Sequence, residues 1–525
     1  MRIGKDARRA ARSVGTLPRE TMQGRMRAPM RTFIATASIL LCATLAAQTP
    51  PPPPIFIPYA LDSGLVASQP GVDSLHVGDV SYVGTNSLQL WFSPPQLAPG
   101  SRVRLVSMRD GAAQWFDLHS FADYQNVSAF FNGETVRVEL WPAPGSTQNR
   151  IRVHKIRIEP VYVPSELVCQ ATDIRVPSTD PRVGRIDGCC TTFLLDERTL
   201  STAGHCIGAT AGQIIQFNVP PSDAAGNPVY PPPIDQYALR AGSLTSVANG
   251  VGLDYAVMST VRNSVSGLYA GESQGWLHAV LVPAGTAPQT WTVIGFGTSG
   301  VNLTWNLAQK SASGPRATTS NSTLQFRITV TGCNSGSPVI GTNNIDAHGV
   351  VTHAGCTATG GFNYGTGFGT TAYMQALQGV QATYVAGTLG TFGVGCGSAS
   401  GTPQLSLSGP PDLGATVNAT VTQTDPAQNL FGLLMVGVSD TTWNGSPLPI
   451  DLGLVGIPGC WLCVAADLQF SLSTNFGSAT LPLSIPNQAA FLGASFYLQH
   501  FALDPTATNG AQVVTTNGAR MRIGN

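Results

Sequence analysis

Short segments in which apolar and polar residues alternate recur along this chain. SLQLWFS (87–93), RVRLVSM (102–108) and TVRVELW (135–141) lie towards the N-terminus, and LQFSLST (468–474) and ATLPLSIP (479–486) lie towards the C-terminus. A period of two is typical of β-strands that bury one face. Turn-forming glycine, proline and asparagine separate these segments. The pattern therefore predicts an all-β chain.

Two breaks in composition divide the chain. Residues 48–58 form a proline-rich linker, and residues 387–403 form a linker rich in glycine and serine. We therefore predict a β-sandwich over 59–164, which serves as an accessory domain or a pro-domain, and a second β-sandwich over 404–525. The region between the linkers, 165–386, is predicted to be a separate central domain.

Residues 1–47 have the layout of a secretory signal peptide. Arg27 and Arg31 precede an apolar stretch from Phe33 to Leu45, and the small residues Ala46 and Ala47 follow. The apolar stretch is too short to span a bilayer, and no later segment is a better candidate. We expect cleavage near Ala47, no membrane span, and a mature protein that is extracellular or periplasmic.

Charge and cysteine content narrow the function classes. The chain has 28 basic and 28 acidic residues, and only 11% of its positions are charged. This balance argues against nucleic acid or anionic lipid as the main partner. Export would place the cysteines in an oxidising compartment, so they predict disulfides. Cys460 and Cys463 form a C-x-x-C pair, but no second ligand pair accompanies it, so we expect neither a metal nor a cofactor.

Three motifs in the central region carry candidate chemistry: TLSTAGHC (199–206), GLDYAVM (252–258) and GCNSGSPV (332–339). A serine hydroxyl is a poor nucleophile at neutral pH, and it needs a base and a group that orients the base. Ser335, His205 and Asp254 supply one residue of each kind. Gly336 and the small residues around it allow a tight turn that presents the hydroxyl.

Two further strings, VIGFGT (293–298) and THAGC (352–356), occur among these motifs. Together the five resemble, in chain order, the motifs of the chymotrypsin-like (trypsin-fold) serine peptidases, nearest the secreted bacterial branch of glutamyl and lysyl endopeptidases. The resemblance covers roughly Cys169 to Val385. It implies a double β-barrel between the two sandwiches, and hydrolysis of protein or peptide substrates through an acyl-enzyme on Ser335.

The resemblance also implies two disulfides. Cys190–Cys206 would close the histidine loop, and Cys333–Cys356 would join the serine loop to the strand that lines the cleft. A third bridge, Cys396–Cys460, is expected across the last domain. Loss of Cys42 with the signal peptide leaves an odd number, and the remaining cysteines are Cys169, Cys189 and Cys463.

The chain departs from the family pattern beside the nucleophile. The oxyanion hole would use the backbone N–H groups of Cys333 and Ser335, but the family usually has glycine where Cys333 stands. Asn334 replaces the aspartate with which a freed N-terminal amine pairs in the trypsinogen-style switch. Maturation would then proceed otherwise, for example by removal of 59–164.

The substrate pocket resembles neither of two charged specificities. Thr329 stands where trypsin-like enzymes carry an aspartate. Val351 stands where glutamate-specific relatives carry a histidine, although His353 follows two residues later. The strand continues through Thr352 and Ala354 along the cleft. An uncharged substrate side chain is the expected preference.

Two other functions remain open. One is a catalytically inactive homologue that acts as an extracellular binding or adhesion module, which Cys333 favours, and the other is an esterase with the same triad. The outer domains carry tryptophans that would form a carbohydrate or peptide platform, although aromatics in alternating strands usually belong to the core. These residues are Trp91, Trp115, Trp141, Trp443 and Trp461. Contact with a cell surface or a polysaccharide is one role such domains would serve.

Overall fold

The computed structural model describes residues 54–159, 168–187, 189–207, 213–281, 290–423 and 429–525. The expected signal peptide, its cleavage site near Ala47 and most of the proline-rich linker lie outside these residues. The junction around residue 164 between the first two expected domains also lies outside them. No helix within the described part of the chain is long and apolar enough to cross a bilayer.

The N-terminal part forms two antiparallel sheets of four strands each. Its elements are β1 (Ile55–Asp62), β2 (Leu75–Ser81), β3 (Ser87–Phe92), β4 (Arg102–Ser107), β5 (Ala113–Phe116), α1 (Leu118–Asp123), β6 (Val127–Asn132), β7 (Thr135–Trp141) and β8 (Arg152–Ile158). The sheet orders are β1-β8-β3-β6 and β2-β7-β4-β5. Alternate residues of β7, Val136, Val138 and Leu140, are fully buried in a cluster that also holds side chains of the other sheet. The two sheets therefore enclose one core, as in a sandwich.

The central part contains two curved sheets. Its strands are β9 (Val176–Pro177), β10 (Val183–Ile186), β11 (Thr191–Leu194), β12 (Thr199–Thr202), β13 (Ile214–Gln216), β14 (Gln236–Ala238), β15 (Thr245–Ala248), β16 (Asp254–Ser259), β17 (His278–Ala279), β18 (Thr290–Gly295), β19 (Lys310–Thr319), β20 (Thr323–Phe326), β21 (Pro338–Ile340), β22 (Asp346–His353) and β23 (Asn363–Gly367). Two helices accompany them, α2 (Ala270–Gln274) and α3 (Thr371–Ala382).

The first of these sheets has the order β14-β13-β10-β11-β12-β16-β15. The sheet curves so far that Leu239, directly after β14, forms an isolated bridge with Thr260, directly after β16. A single bridge is not a ladder between strands, and we call this sheet the half-barrel. The second has the order β22-β21-β18-β19-β20-β23, and β22 pairs with β23, which closes a six-stranded barrel. The predicted all-β class with two barrel-like sheets is therefore confirmed.

The C-terminal part contains two more packed sheets. Its strands are β24 (Thr388–Phe392), β25 (Gln404–Ser408), β26 (Thr416–Thr422), β27 (Gly432–Gly437), β28 (Thr442–Trp443), β29 (Ser446–Pro447), β30 (Ile450–Asp451), β31 (Trp461–Leu462), β32 (Leu468–Ser471), β33 (Ser478–Ser484), β34 (Ser495–Leu503), β35 (Val513–Thr515) and β36 (Gly518–Arg522). The larger sheet runs β24-β36-β34-β27-β32, and the smaller one runs β25-β26-β33. Leu405 and Val421 from the smaller sheet pack with Leu434 and Leu498 from the larger.

Short 3₁₀ turns occur at five places in the described residues, at Gly204–Cys206, Pro233–Asp235, Leu303–Trp305, Leu452–Val455 and Ala489–Phe491. The first of them carries His205, and its position is set by the strands on either side.

The N-terminal sandwich shares its core with the half-barrel. The buried cluster of the sandwich includes Ile214, Tyr230 and Val261 from the central part. Burying an apolar side chain of this size contributes about 1.5–3 kcal/mol. The Gln236 side chain adds polar contacts, because its Oε1 accepts from Phe130 N at 2.8 Å and its Nε2 donates to Phe130 O at 2.8 Å. Removal of 59–164 during maturation would therefore expose apolar surface and leave these groups without partners.

The disulfides match two of the three expected pairs. Cys190 pairs with Cys206 and Cys396 pairs with Cys460, as expected. The expected Cys333–Cys356 bridge is wrong: Cys333 pairs with Cys189, and Cys356 pairs with Cys169. Among the described residues, Cys463 is the free cysteine, and it is buried.

The contacts around Cys333 and Cys356 explain why these two cysteines pair with others and not with each other. Thr191 Oγ1 donates to Cys333 O at 3.0 Å, so the serine loop lies against residues 189–191. Asn363 Oδ1 accepts from Cys356 N at 3.1 Å, and Asn363 Nδ2 lies 3.2 Å from Cys169 Sγ. The neighbours of Cys333 and Cys356 thus belong to different parts of the chain.

Candidate active site

His205 and Asp254 are brought together by two paired strands. β12 leads into the turn Gly204–Cys206, Asp254 begins β16, and Thr202 of β12 pairs with Ala256 of β16. His205 Nδ1 lies 2.6 Å from Asp254 Oδ2, and His205 N donates to Asp254 Oδ1 at 3.0 Å. The aspartate side chain is 3% exposed and the histidine 18%. The carboxylate is therefore held from two sides, while part of the imidazole faces solvent.

Gly204 makes this turn possible. A Cβ at Gly204 would overlap the carbonyl oxygens of Val247 and Tyr255, both part of the main chain. Backbone cannot give way as a flexible side chain can, so only glycine fits here. The close approach is what sets the His205 main chain against Asp254.

The serine loop lies against the same strands. Thr191 N donates to Ser335 O at 2.8 Å, and Cys206 Sγ lies 3.6 Å from the same carbonyl oxygen. The residue that follows His205 thus contacts the main chain of Ser335. Gly336 has φ 87°, and a Cβ there would overlap Thr191 O. The Ser335 backbone is therefore fixed next to the histidine turn.

Cys333 has a left-handed backbone conformation. Its φ is 70°, in the left-handed region that favours glycine and is costly for other residues. The disulfide to Cys189 and the hydrogen bond from Thr191 hold it there. Cysteine therefore adopts here a backbone conformation that glycine would adopt at lower cost, and a role for its N–H in an oxyanion hole stays a prediction.

A buried arginine behind the serine loop is absent from the sequence predictions. Arg175 Nη1 donates to Thr331 Oγ1 at 2.6 Å and to Asn334 Oδ1 at 3.4 Å, and Nη2 donates to Thr298 O at 2.7 Å. Asp173 pairs with the same guanidinium at 2.8 and 2.7 Å. The cation is thus tied to the residue directly before Ser335.

The electrostatics of this pair are consistent with its geometry. Burial would raise the pKa of Asp173, but the hydrogen bonds and charge of Arg175 outweigh burial and hold the pKa below its usual value. The only sequence signal was an Asp-x-Arg spacing, which Asp180 and Arg182 repeat away from the serine loop.

The expected pocket residues do not form one surface. Val351 is fully buried and packs with Trp291 and Val339 in the core of the closed barrel, so its expected place in the pocket is wrong. Its side chain faces the core because successive strand residues point to opposite sides. Thr329 is 1% exposed and its hydroxyl donates to the Gln170 side chain.

His353 is the expected pocket residue that faces the histidine turn. Its ring centroid lies 6.5 Å from that of His205, and its Nδ1 is 2.9 Å from Thr352 Oγ1. Burial lowers the pKa of His353, the nearby His205 lowers it further, and Asp254 opposes both. The balance of these effects favours the neutral form of the ring. Ala354, next along the chain, is partly exposed.

The described residues contain no group of three or more His, Cys, Asp or Glu side chains placed to hold a metal ion. What they do contain is an imidazole anchored through Nδ1 by a buried carboxylate, beside a serine in a rigid turn. Such an arrangement suits proton transfer to and from a nucleophilic hydroxyl.

Comparison with known proteins gives similarity at the level of structure. No family model and no curated protein matches the sequence. A structure of a Glu endopeptidase in complex with MPD is 19% identical, with a TM-score of 0.32, over 41% of this chain and 100% of the other. The protease Anisep from Arthrobacter nicotinovorans is 19% identical, with a TM-score of 0.32, over 39% and 99%. Human heparin binding protein is 14% identical, with a TM-score of 0.31, over 40% and 97%.

Proposed function

We propose that this chain is a serine endopeptidase that hydrolyses peptide bonds through an acyl-enzyme on Ser335. The observation that carries the proposal is the 2.6 Å contact between His205 Nδ1 and the buried Asp254 carboxylate, next to the Ser335 turn. The five sequence motifs resemble, in the same chain order, those of serine peptidases, and this resemblance supports peptides as the substrate class.

In the proposed mechanism His205 is the general base. Because Nδ1 faces Asp254 Oδ2, the neutral ring carries its proton on Nδ1 and leaves Nε2 to accept the Ser335 proton. Ser335 Oγ then forms a bond to the substrate carbonyl carbon, and the carbonyl π pair moves onto oxygen. Asp254 stabilises the imidazolium that results.

The backbone N–H groups of Cys333 and Ser335 would stabilise the oxyanion. When the tetrahedral intermediate collapses, the C–N bond breaks and His205 returns the proton to the leaving amine. A water molecule then attacks the acyl-enzyme by the same route, and Ser335 regains its proton. The positive φ of Cys333 supports this assignment, because that conformation is kept at a cost and directs the peptide N–H.

A fluorophosphonate probe tests the proposal on the full chain. We expect a covalent adduct on Ser335, mapped by mass spectrometry, that Ser335→Ala and His205→Ala both abolish. Ser320→Ala, which removes an exposed loop hydroxyl, is the matched control and should label normally. A folded, disulfide-intact protein that does not label, or labels at another residue, would contradict the proposal.

Digestion then separates peptidase from esterase. We expect the unlabelled enzyme to cleave a denatured protein and to release p-nitrophenol from p-nitrophenyl acetate. Cleavage of the ester alone would replace the proposed substrate class by carboxylic esters while leaving Ser335 as the nucleophile.

A further inference from the structure

Two tryptophans lie on the outside of the N-terminal sandwich. Their chain neighbours Phe116 and Leu140 are 1% and 0% exposed, so Trp115 and Trp141 point to the opposite, outer face of their sheet. Of the two roles that the sequence leaves open for these aromatics, a platform and the core, this placement is compatible with the platform. The two rings meet edge to face at a centroid distance of 5.3 Å.

Arginines hold this pair in place. The guanidinium carbons of Arg102 and Arg104 lie 4.9 and 5.6 Å from the Trp115 ring centroid. Arg104 also donates to Glu139 Oε2 at 3.3 Å. Cation–π contacts and an ion pair of this kind fix the rings before any ligand arrives, which reduces the entropy lost on binding.

A groove of about 660 Å³ adjoins the pair. Its walls are residues 68–73, Gly100, Arg102 and residues 141–145, so the Trp141 indole is one side of it. Ligand sites usually have volumes of roughly 300–1,000 Å³. Pro142 and Pro144 stiffen one wall, because proline fixes φ.

Three polar side chains of the groove, among them the Arg102 that lies over Trp115, make no hydrogen bond or ion pair with the described residues. The side chains of Gln69, Asp73 and Arg102 line it, and none of the three makes a hydrogen bond or an ion pair there. The charges of Arg102 and Asp73 cancel. Together with the Gln69 amide, these two side chains offer hydrogen-bond donors and acceptors near the flat Trp141 indole. This combination suits a ligand that is uncharged, both donates and accepts, and has an apolar face.

We propose that this groove binds a neutral polysaccharide. The C–H face of a sugar ring would stack on Trp141, and its hydroxyls would donate to Asp73 and accept from Arg102. A proline-rich peptide fits less well, because proline lacks an N–H and would leave Asp73 without a donor. The inference does not depend on the proposed function, since no catalytic residue lines the groove.

Affinity electrophoresis of the full chain tests this proposal. The Ser335→Ala protein, which excludes self-digestion, is run in native gels that contain hydroxyethyl cellulose, xylan or laminarin. We expect retardation by at least one, and a dissociation constant about tenfold weaker or more for Trp141→Ala. Trp91→Ala is the matched control and should bind normally. It removes an indole of the other sheet, whose ring centroid lies 3.9 Å from Lys155 Nζ.

Asp73→Ala and Arg102→Ala provide variants on exposed side chains that should fold like the parent, as circular dichroism would check. Both should weaken binding. No retardation by any of the three polysaccharides, retardation unchanged in Trp141→Ala, or binding of a hexaproline peptide in place of the glycans would overturn the proposal.

Discussion

Replacing Arg175 by methionine removes the cation behind the serine loop while keeping an unbranched side chain. The variant loses both hydrogen bonds to Asp173 and those to Thr331 Oγ1 and Thr298 O. Asp173, 15% exposed, would keep its charge with the main-chain N–H of residue 175 as a donor but without a cation. Breaking one side of a buried pair typically costs about 3–5 kcal/mol. We expect a loss in the unfolding free energy of that size.

The same change should slow the reaction of Ser335. Arg175 fixes Thr331 and Asn334, so its loss should loosen the turn that presents the oxyanion-hole N–H groups. Urea denaturation measures the stability, and the rate of fluorophosphonate labelling measures the reactivity. Arg182→Met is the matched control, because Arg182 makes the same paired contact to Asp180 away from the serine loop.

Arg182→Met should lose less stability, since its guanidinium makes no further hydrogen bond within the described residues, and it should label at the parent rate. A loss below about 1 kcal/mol in Arg175→Met, together with an unchanged labelling rate, would refute the reasoning, because it would mean that the buried pair neither stabilises nor positions the turn.

Three further predictions concern other buried groups. Gln236→Leu leaves Phe130 N and O unpaired, so urea unfolding should show a loss of roughly 2–5 kcal/mol. Burial lowers the pKa of His500 from 6.5. Below pH 6.5 the unfolded chain then binds a proton more readily than the folded one, so the unfolding free energy should fall as the pH drops, and His500→Gln should flatten that slope. Burial raises the pKa of the Cys463 thiol, so Ellman's reagent should react with it only after unfolding, and Cys463→Ser should remove one equivalent of that signal.

Local patterns predicted the strands well, because alternation reports directly which face of a strand is buried. The disulfides show a feature that local patterns do not predict. Cys190–Cys206 closes a short loop and was predicted, but Cys189–Cys333 joins residues 144 apart. Such a pairing depends on how two sheets pack, and spacing along the chain carries no information about that.

In the candidate site, too, some residues could be predicted from local sequence and others could not. The residue types of His205, Asp254 and Ser335 can be read from short motifs, since the chemistry constrains their neighbours. Arg175 has no such constraint: its role arises from packing against Thr331 and Asn334, which lie far along the chain. The sequence leaves Trp141 between a platform and the core: in TVRVELW it shares a strand face with Arg137 and Glu139, while the general tendency of aromatics to be buried favours the core.

The shared core of the sandwich and the half-barrel sets an order of assembly. Residues 55–158 are synthesised before Ile214, Tyr230 and Val261, which complete their hydrophobic cluster. Domains generally fold as units during synthesis, starting from the N-terminus. Here the first unit stays open on one side until about a hundred more residues have been made. A chain that ended before Val261 would therefore have a sandwich that still exposes apolar surface.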